Sequence, residues 1–280
     1  MSVLLGTHFH PGDAGALERQ ARAMDAVREL RDVATVDLQW AAGPDKRPWI
    51  RTLPALRQDS IMLTRITGRA GRPKPVAREV FDVLADLAAQ GGHRYFLFFN
   101  SDIVVTQAAV DRVLREGRDA YAFSRLDAGG PDAAAPTIMT YGLDAFAVDV
   151  GWWRANRRRF RPYILGEALW DNVYGAVCMA HGRGVIENRH GEVQHERHTR
   201  AWGGSPFAAY NGLLAALDGR YFSLWVHYHD ALLAARQRGA SDTDERTLAA
   251  DQFAWRPSVA AACRQMVTDA RARVRYRIGA

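Results

Sequence analysis

Cysteine is nearly absent from this chain, with two residues, Cys178 and Cys263, in 280. That excludes a disulfide framework and a cysteine-based zinc site. Lysine is as scarce: Lys46 and Lys74 are the two, and the remaining positive charge is arginine. No run approaches the roughly 20 apolar residues that span a bilayer. The opening MSVLLGTHFHPGD has no basic region and no cleavage site. It is expected to form a first strand rather than a targeting segment, and a cytoplasmic location is the expectation.

What is present is ordinary for a globular domain: 48% hydrophobic and 24% charged residues, enough to bury a large core. The net charge of +6 is spread along the chain. Its densest cluster, Arg154, Arg157, Arg158, Arg159 and Arg161, is short, so no nucleic-acid partner is expected. Arginine forks do suit phosphate oxygens.

Strand and helix signals alternate. Strands are expected at Val3–Thr7, Val33–Trp40, Ile61–Ile66, Tyr95–Val105, Ala120–Arg125, 145–148 and 184–188. Helices are expected at 12–30, 76–90, 107–116, 166–181, and one or two over 205–238, with another from Asp242. Residues 41–58 and 127–136 read as loops. This alternation predicts one α/β domain with a mostly parallel sheet flanked by helices and a helical C-terminal part. Residues 1–126 would form its first half, 137–204 its second and 205–280 the helical part.

The most informative stretch is YFLFFNSDIVV, Tyr95 to Val105. A continuous apolar run ending in Asn100-Ser101-Asp102 reads as a buried strand carrying polar side chains to its C-terminal end. Open α/β sheets bind ligands at that edge. The histidine-rich ENRHGEVQHERHTRAW, with His190, His195 and His198, reads either as a solvated loop or as a late metal or phosphate ligand. Glu167 and Asp171, four apart, would share one helix face.

The order of elements, with Asn-Ser-Asp following an apolar strand near residue 100, resembles the GT-A-type glycosyltransferases. YGLDAFAVDVGWWR and LGEALWDNVYGAVCMAHG resemble two further segments of such enzymes. The resemblance spans roughly residues 3 to 200. It implies a nucleoside-diphosphate sugar donor, an unidentified acceptor and a divalent cation, Mn2+ or Mg2+, bridging the donor phosphates. Asp102 would hold the cation with His195 or His198. Thr7, Arg19, Asp59, Lys74, Asn100, Ser101 and Asp102 would line the nucleotide-sugar side. Asp144, Trp152 and Trp153 would face the acceptor, and Asp171, ahead of Glu167, would act as base. The sequence departs from the family's Asp-x-Asp motif at its first position, where Asn100 stands.

Two rival readings have their own residues. His8-x-His10 at the end of the first strand is how metal-dependent amidohydrolases begin, on an eight-stranded barrel. Asn100 also suits a protein that binds a nucleotide sugar without turning it over.

Overall fold

The computed structural model describes residues 2–64, 72–128, 137–139, 141–187, 191–197 and 207–254. Among them a seven-stranded sheet runs in the order β10-β6-β9-β4-β1-β2-β3. Its strands are β1 (Val3–Thr7), β2 (Val33–Gln39), β3 (Arg51–Pro54), β4 (Tyr95–Phe99), β6 (Ala120–Phe123), β9 (Ala145–Asp149) and β10 (Gly184–Glu187). All are parallel except β9, which runs antiparallel between β4 and β6. A second sheet joins β5 (Ile103–Val105), β11 (Val193–Glu196), β7 (Arg125–Ala128) and β8 (Thr137–Met139).

Strand β4 shows why its run is apolar throughout. Phe96 and Phe98 enter one core, and Tyr95, Leu97 and Phe99 enter the other. Both faces are covered, so alternation disappears. Helices α3 (Ala77–Gln90), α5 (Val150–Asn156) and α6 (Trp170–His181) contribute to the first core. Helices α1 (Ala14–Ala26) and α4 (Gln107–Glu116) contribute to the second. Helices α7 (Ala208–Leu217), α8 (Gly219–Gln237) and α9 (Asp242–Ala254) supply the expected helical C-terminal part. Gly6 lets α3 lie close on β1, since a Cβ there would stand 2.1 Å from Leu84 Cδ2.

Several boundaries differ from the sequence reading. Tyr95–Val105 is two strands in two sheets, with Asn100, Ser101 and Asp102 at the corner between them. Ala120–Arg125 also divides, β6 ending at Phe123 and β7 starting at Arg125. Residues 61–66 were expected as a strand, but Ser60–Thr64 is the short helix α2. The Asp59 carboxylate accepts from Met62 N at 2.9 Å and fixes that first turn. The loop expected over 41–58 contains β3, a short edge strand ending on Pro54, a position an edge tolerates. Helix α6 begins at Trp170 and not at 166, because Gly166 and Leu169 both have positive φ, +68° and +81°.

Phe81 on α3 packs against six aromatic rings, of Phe96, Phe98, Phe146, Trp153, Trp170 and Tyr174, at centroid distances of 5.2 to 6.5 Å. Phe81→Ala should cost about 3–5 kcal/mol, the usual range for an aromatic deleted from a packed core. Urea denaturation checks this, with the loss seen as a lower midpoint at unchanged slope.

Candidate functional site

The site forms where strands leave the large sheet for the small one. At the β4–β5 corner, Asn100 N donates to Asp144 O at 2.9 Å, and Asn100 Nδ2 donates to Asp144 Oδ1 at 2.7 Å. Ser101 Oγ lies 3.3 Å from His10 Nδ1. Strand β11 lies between β5 and β7 in a register that pairs His195 with Ile103 on one side and Asp127 on the other. His195 Nδ1 therefore sits 2.9 Å from Asp127 Oδ1, and its Nε2 stands 3.5 Å from Asp102 Oδ2. A carboxylate beside Nδ1 calls for a proton on that nitrogen, which leaves Nε2 directed at Asp102.

Arg125 completes the charge balance. Its Nε donates to Asp127 Oδ1 at 2.8 Å and its Nη1 to Asp144 Oδ2 at 3.2 Å. Burial works to lower the guanidinium's pKa, but Asp144 and Asp127 outweigh it and the net direction is upward. Burial raises the Asp144 carboxyl above the usual carboxylate range; Arg125 opposes this, and the charge of Asp102 adds to it.

A second carboxylate centre lies alongside. Asp171, in the first turn of α6, accepts from Leu143 N at 2.9 Å. A Cβ on Gly142 would stand 3.8 Å from Asp171 Oδ2 and 3.9 Å from Asp144 Oδ2, so the two aspartates flank that glycine. Two devices hold the 141–144 strap on α6. Asn172 Nδ2 donates to Tyr141 O at 2.7 Å. Gly175 leaves room for Leu143, whose Cδ1 would be 2.4 Å from an added Cβ. Burial, with a further push from Asp144, raises the Asp171 pKa to about 7 against the hydrogen bond from Leu143 N. Tyr141, 37% exposed, marks the open side and packs edge-on to His229 at 4.9 Å.

The structure thus brings Asn100, Ser101, Asp102, Asp144, Asp171 and His195 together. Other expected residues go elsewhere. Glu167 is not on Asp171's helix face. It lies in the turn before α6, its side chain 4% exposed and bonded to Lys74 Nζ at 2.7 Å. Lys74 Nζ also donates to Gly166 O at 3.0 Å, so the two expected roles collapse into one internal ion pair. Thr7 is buried and donates to Phe99 O at 2.6 Å, pinning β1 to β4. Asp59 is the cap of α2 described above. Arg19 folds back along α1 toward Gly15, and its Nε is buried with no hydrogen-bond partner among the described residues.

Trp152 and Trp153, expected to face an acceptor, lie away from the Asn100–Asp102 corner. Strand β9 is antiparallel, so Asp149, immediately before α5, pairs with Tyr95 at the opposite end of β4 from Asn100. Trp153 is buried with its Nε1 on Asp82, and Trp152 Nε1 is on His181 O. His198 lies outside the described residues. His8 and His10 diverge: His8 Nδ1 binds Leu38 O at 2.7 Å, whereas His10 faces Ser101. Together with two open sheets in place of a barrel, this removes the basis for the amidohydrolase reading.

Sequence reasoning missed Arg125 and Asp127. The signal was present: the apolar run Ala120–Phe123 gives way to polar residues just as Tyr95–Phe99 does.

The separation of Asp102 Oδ2 and His195 Nε2 bears on the cation expected from the sequence. Atoms 3.5 Å apart can both lie at about 2.0–2.4 Å from one metal ion, and the Asp127 carboxylate at Nδ1 fixes the orientation of the ring. Among the described residues no group of three or more His, Cys, Asp or Glu side chains is arranged to hold a metal ion. Further ligands would come from elsewhere, and phosphate oxygens are suitable.

No protein-family model matches the sequence, and no curated protein matches it. Among solved structures, Staphylococcus aureus TarS 1–349 in complex with UDP-GlcNAc aligns with a TM-score of 0.51 at 7% identity over 78% of this chain. The match covers 66% of the TarS chain, just under two thirds of its length. TarS with UDP aligns at 0.46 with 8% identity, over 90% of this chain and 80% of that one. A glycosyltransferase involved in glycosylation of the major capsid of PBCV-1 aligns at 0.32 with 10% identity, over 76% and 98%. The fold is that of the GT-A-type glycosyltransferases.

Asp171 gives a stability test. In the unfolded chain its carboxyl titrates near 3.9, and in the folded protein at about 7. Between these values the folded state holds the extra proton, so stability falls as pH rises through that window. Urea unfolding at pH 5 and pH 8 should show a smaller decline for Asp171→Asn than for the unsubstituted protein.

Proposed function

We propose that this protein is a glycosyltransferase that moves a sugar from a nucleoside-diphosphate sugar to a hydroxyl acceptor, in the cytoplasm. One observation carries the reading. Asp102 and His195 face each other at 3.5 Å, with His195 oriented by Asp127, at the strand edge where open α/β sheets bind ligands.

Asp102 and His195 would hold a divalent cation, Mn2+ or Mg2+, which when bound neutralises charge on the donor's phosphates. Arg72, whose charge acts on His10 beside Ser101, would add a cation for the diphosphate. Asp171 stands across Gly142 from Asp144 and is the base. A carboxyl with a pKa of about 7 can accept the acceptor's hydroxyl proton near neutral pH. The acceptor oxygen then bonds to the anomeric carbon as the bond to the diphosphate breaks. Tyr141, at the open side, is placed to border the acceptor. Glu167, paired with Lys74, positions the turn before α6 and takes no proton.

The test of donor binding is thermal shift with UDP, GDP, CDP and dTDP, each with and without Mn2+ or Mg2+. One nucleotide should raise the melting temperature, more so with metal, by mass action on the native state. Asp102→Ala should lose the metal-dependent part while melting at its own unshifted temperature. No response to any nucleotide would remove the donor assignment.

Catalysis is read separately, as release of nucleoside diphosphate. Asp171→Asn should lower turnover by about 10²–10⁴-fold with the nucleotide-induced thermal shift retained. A nucleotide sugar that binds with no diphosphate released under any acceptor would favour a binding protein instead.

A further inference from the structure

The open side of the site carries a wall whose side chains take no part in the proton transfer at Asp171. Tyr141 immediately precedes Gly142, the glycine flanked by Asp171 and Asp144. The main chain is tied to α6 on both sides of that glycine: Asn172 Nδ2 donates to Tyr141 O at 2.7 Å, and Leu143 N donates to Asp171 Oδ2 at 2.9 Å. The Tyr141 ring rests on α8, edge-on to His229 at 4.9 Å and to Trp225 at 6.4 Å. Positions 225 and 229 are one turn apart and share a face of that helix. Tyr141 nevertheless stays 37% exposed. An aromatic ring held by its backbone and by two neighbours, yet open to solvent, is a preorganised surface for a ligand.

Asp230 follows His229 on α8. Its side chain is 72% exposed, and its Oδ1 lies 3.7 Å from His229 Nδ1. Burial, then the charges of Asp171 and Asp230, raise the Tyr141 phenol above the usual tyrosine range. The hydroxyl therefore keeps its proton at neutral pH and can donate a hydrogen bond. Both charges that act on it are negative. Tyr141 thus lies within reach of two carboxylates, one on α6 beside Gly142 and one exposed on α8.

We propose that Tyr141 and Asp230, with His229 steadying the ring, form the acceptor subsite, and that the acceptor is an uncharged sugar ring. The inference rests on the transferase reading. A sugar has a face of C–H groups and a rim of hydroxyls. The C–H face suits the Tyr141 ring, whose body is apolar and whose tip is polar. The rim suits Asp230 and the phenol, an acceptor and a donor of hydrogen bonds, and leaves one hydroxyl to meet Asp171. Apolar lining with a few placed polar groups is the usual make-up of a small-ligand site. A phosphorylated acceptor would bring negative charge toward Asp171 and Asp230 and be repelled. A serine or threonine of a protein would offer its hydroxyl to Asp171 but no second hydroxyl to Asp230.

Saturation-transfer difference NMR on the full chain tests it, with the methyl glycosides of glucose, galactose, mannose and N-acetylglucosamine and with glucose 6-phosphate. At least one methyl glycoside should receive saturation, strongest on the C–H protons of one ring face. Tyr141→Phe keeps the ring and should retain most of the binding. Tyr141→Ala should weaken it about tenfold, and Asp230→Ala about fivefold. Thermal melts of the three variants check that each is folded. The proposal is overturned if no methyl glycoside binds, if binding is indifferent to Tyr141→Ala, or if glucose 6-phosphate binds more tightly than the glucoside. Nucleotide-induced thermal shifts read the donor side separately. Such shifts with no glycoside binding overturn this inference and leave the transferase reading standing. Glycoside binding with no nucleotide shift overturns the transferase reading, and with it the acceptor role of the subsite.

Discussion

The site edge depends on one guanidinium. Asp102, Asp127 and Asp144 converge where two sheets meet, and Arg125 is the fixed positive charge buried among them. Several like charges in a poorly solvated corner repel, and each buried carboxylate without a partner is costly. Arg125 satisfies two of them directly, and His195 stands between the third and Asp127. Removing the guanidinium would leave buried carboxylates facing one another, so the geometry of the edge and its charge are a single constraint.

That constraint is met by strands that change sheet. Strand β4 ends at Phe99 and the chain re-enters the small sheet at Ile103; β6 ends at Phe123 and re-enters at Arg125. Both pivots occur where an apolar run becomes polar. A strand that stayed in the large sheet would carry its next residues out past the core. Turning into the small sheet keeps them paired while their side chains point at the junction. β11 then places His195 between the products of the two pivots, opposite Asp127 and Ile103.

The sequence made the large sheet legible because its strands are fully apolar, and α3 because its apolar residues recur at helical spacing. Asp102 and Asp171 stood out as polar residues in or beside apolar runs, whereas His195 lies in a charged stretch and was reached only through the resemblance. Three things were hidden for physical reasons. The break inside Tyr95–Val105 was masked because both halves are buried, so hydrophobicity does not change across the pivot except at Asn100–Asp102. The pairing of Glu167 with Lys74 joins residues 93 apart in the chain, which no local pattern encodes. The wrong assignment of Trp152 and Trp153 followed from not knowing that β9 is antiparallel. Reversing one strand moves everything after it to the other edge of the sheet.

The same edge accounts for the departure from the Asp-x-Asp pattern. Position 100 is not simply a weakened ligand, because its side chain is committed to Asp144, with Nδ2 donating to Oδ1 at 2.7 Å. An aspartate of the same shape would set two carboxylate oxygens at that separation. Arg125 already binds the other Asp144 oxygen, so it offers that pair no further relief. An amide supplies the N–H that Asp144 needs and adds no charge to a corner holding three aspartates. Asn100 and Asp144 therefore belong to one hydrogen-bonded unit anchored by Arg125, and Asp102 is left as the carboxylate of the triplet that faces His195.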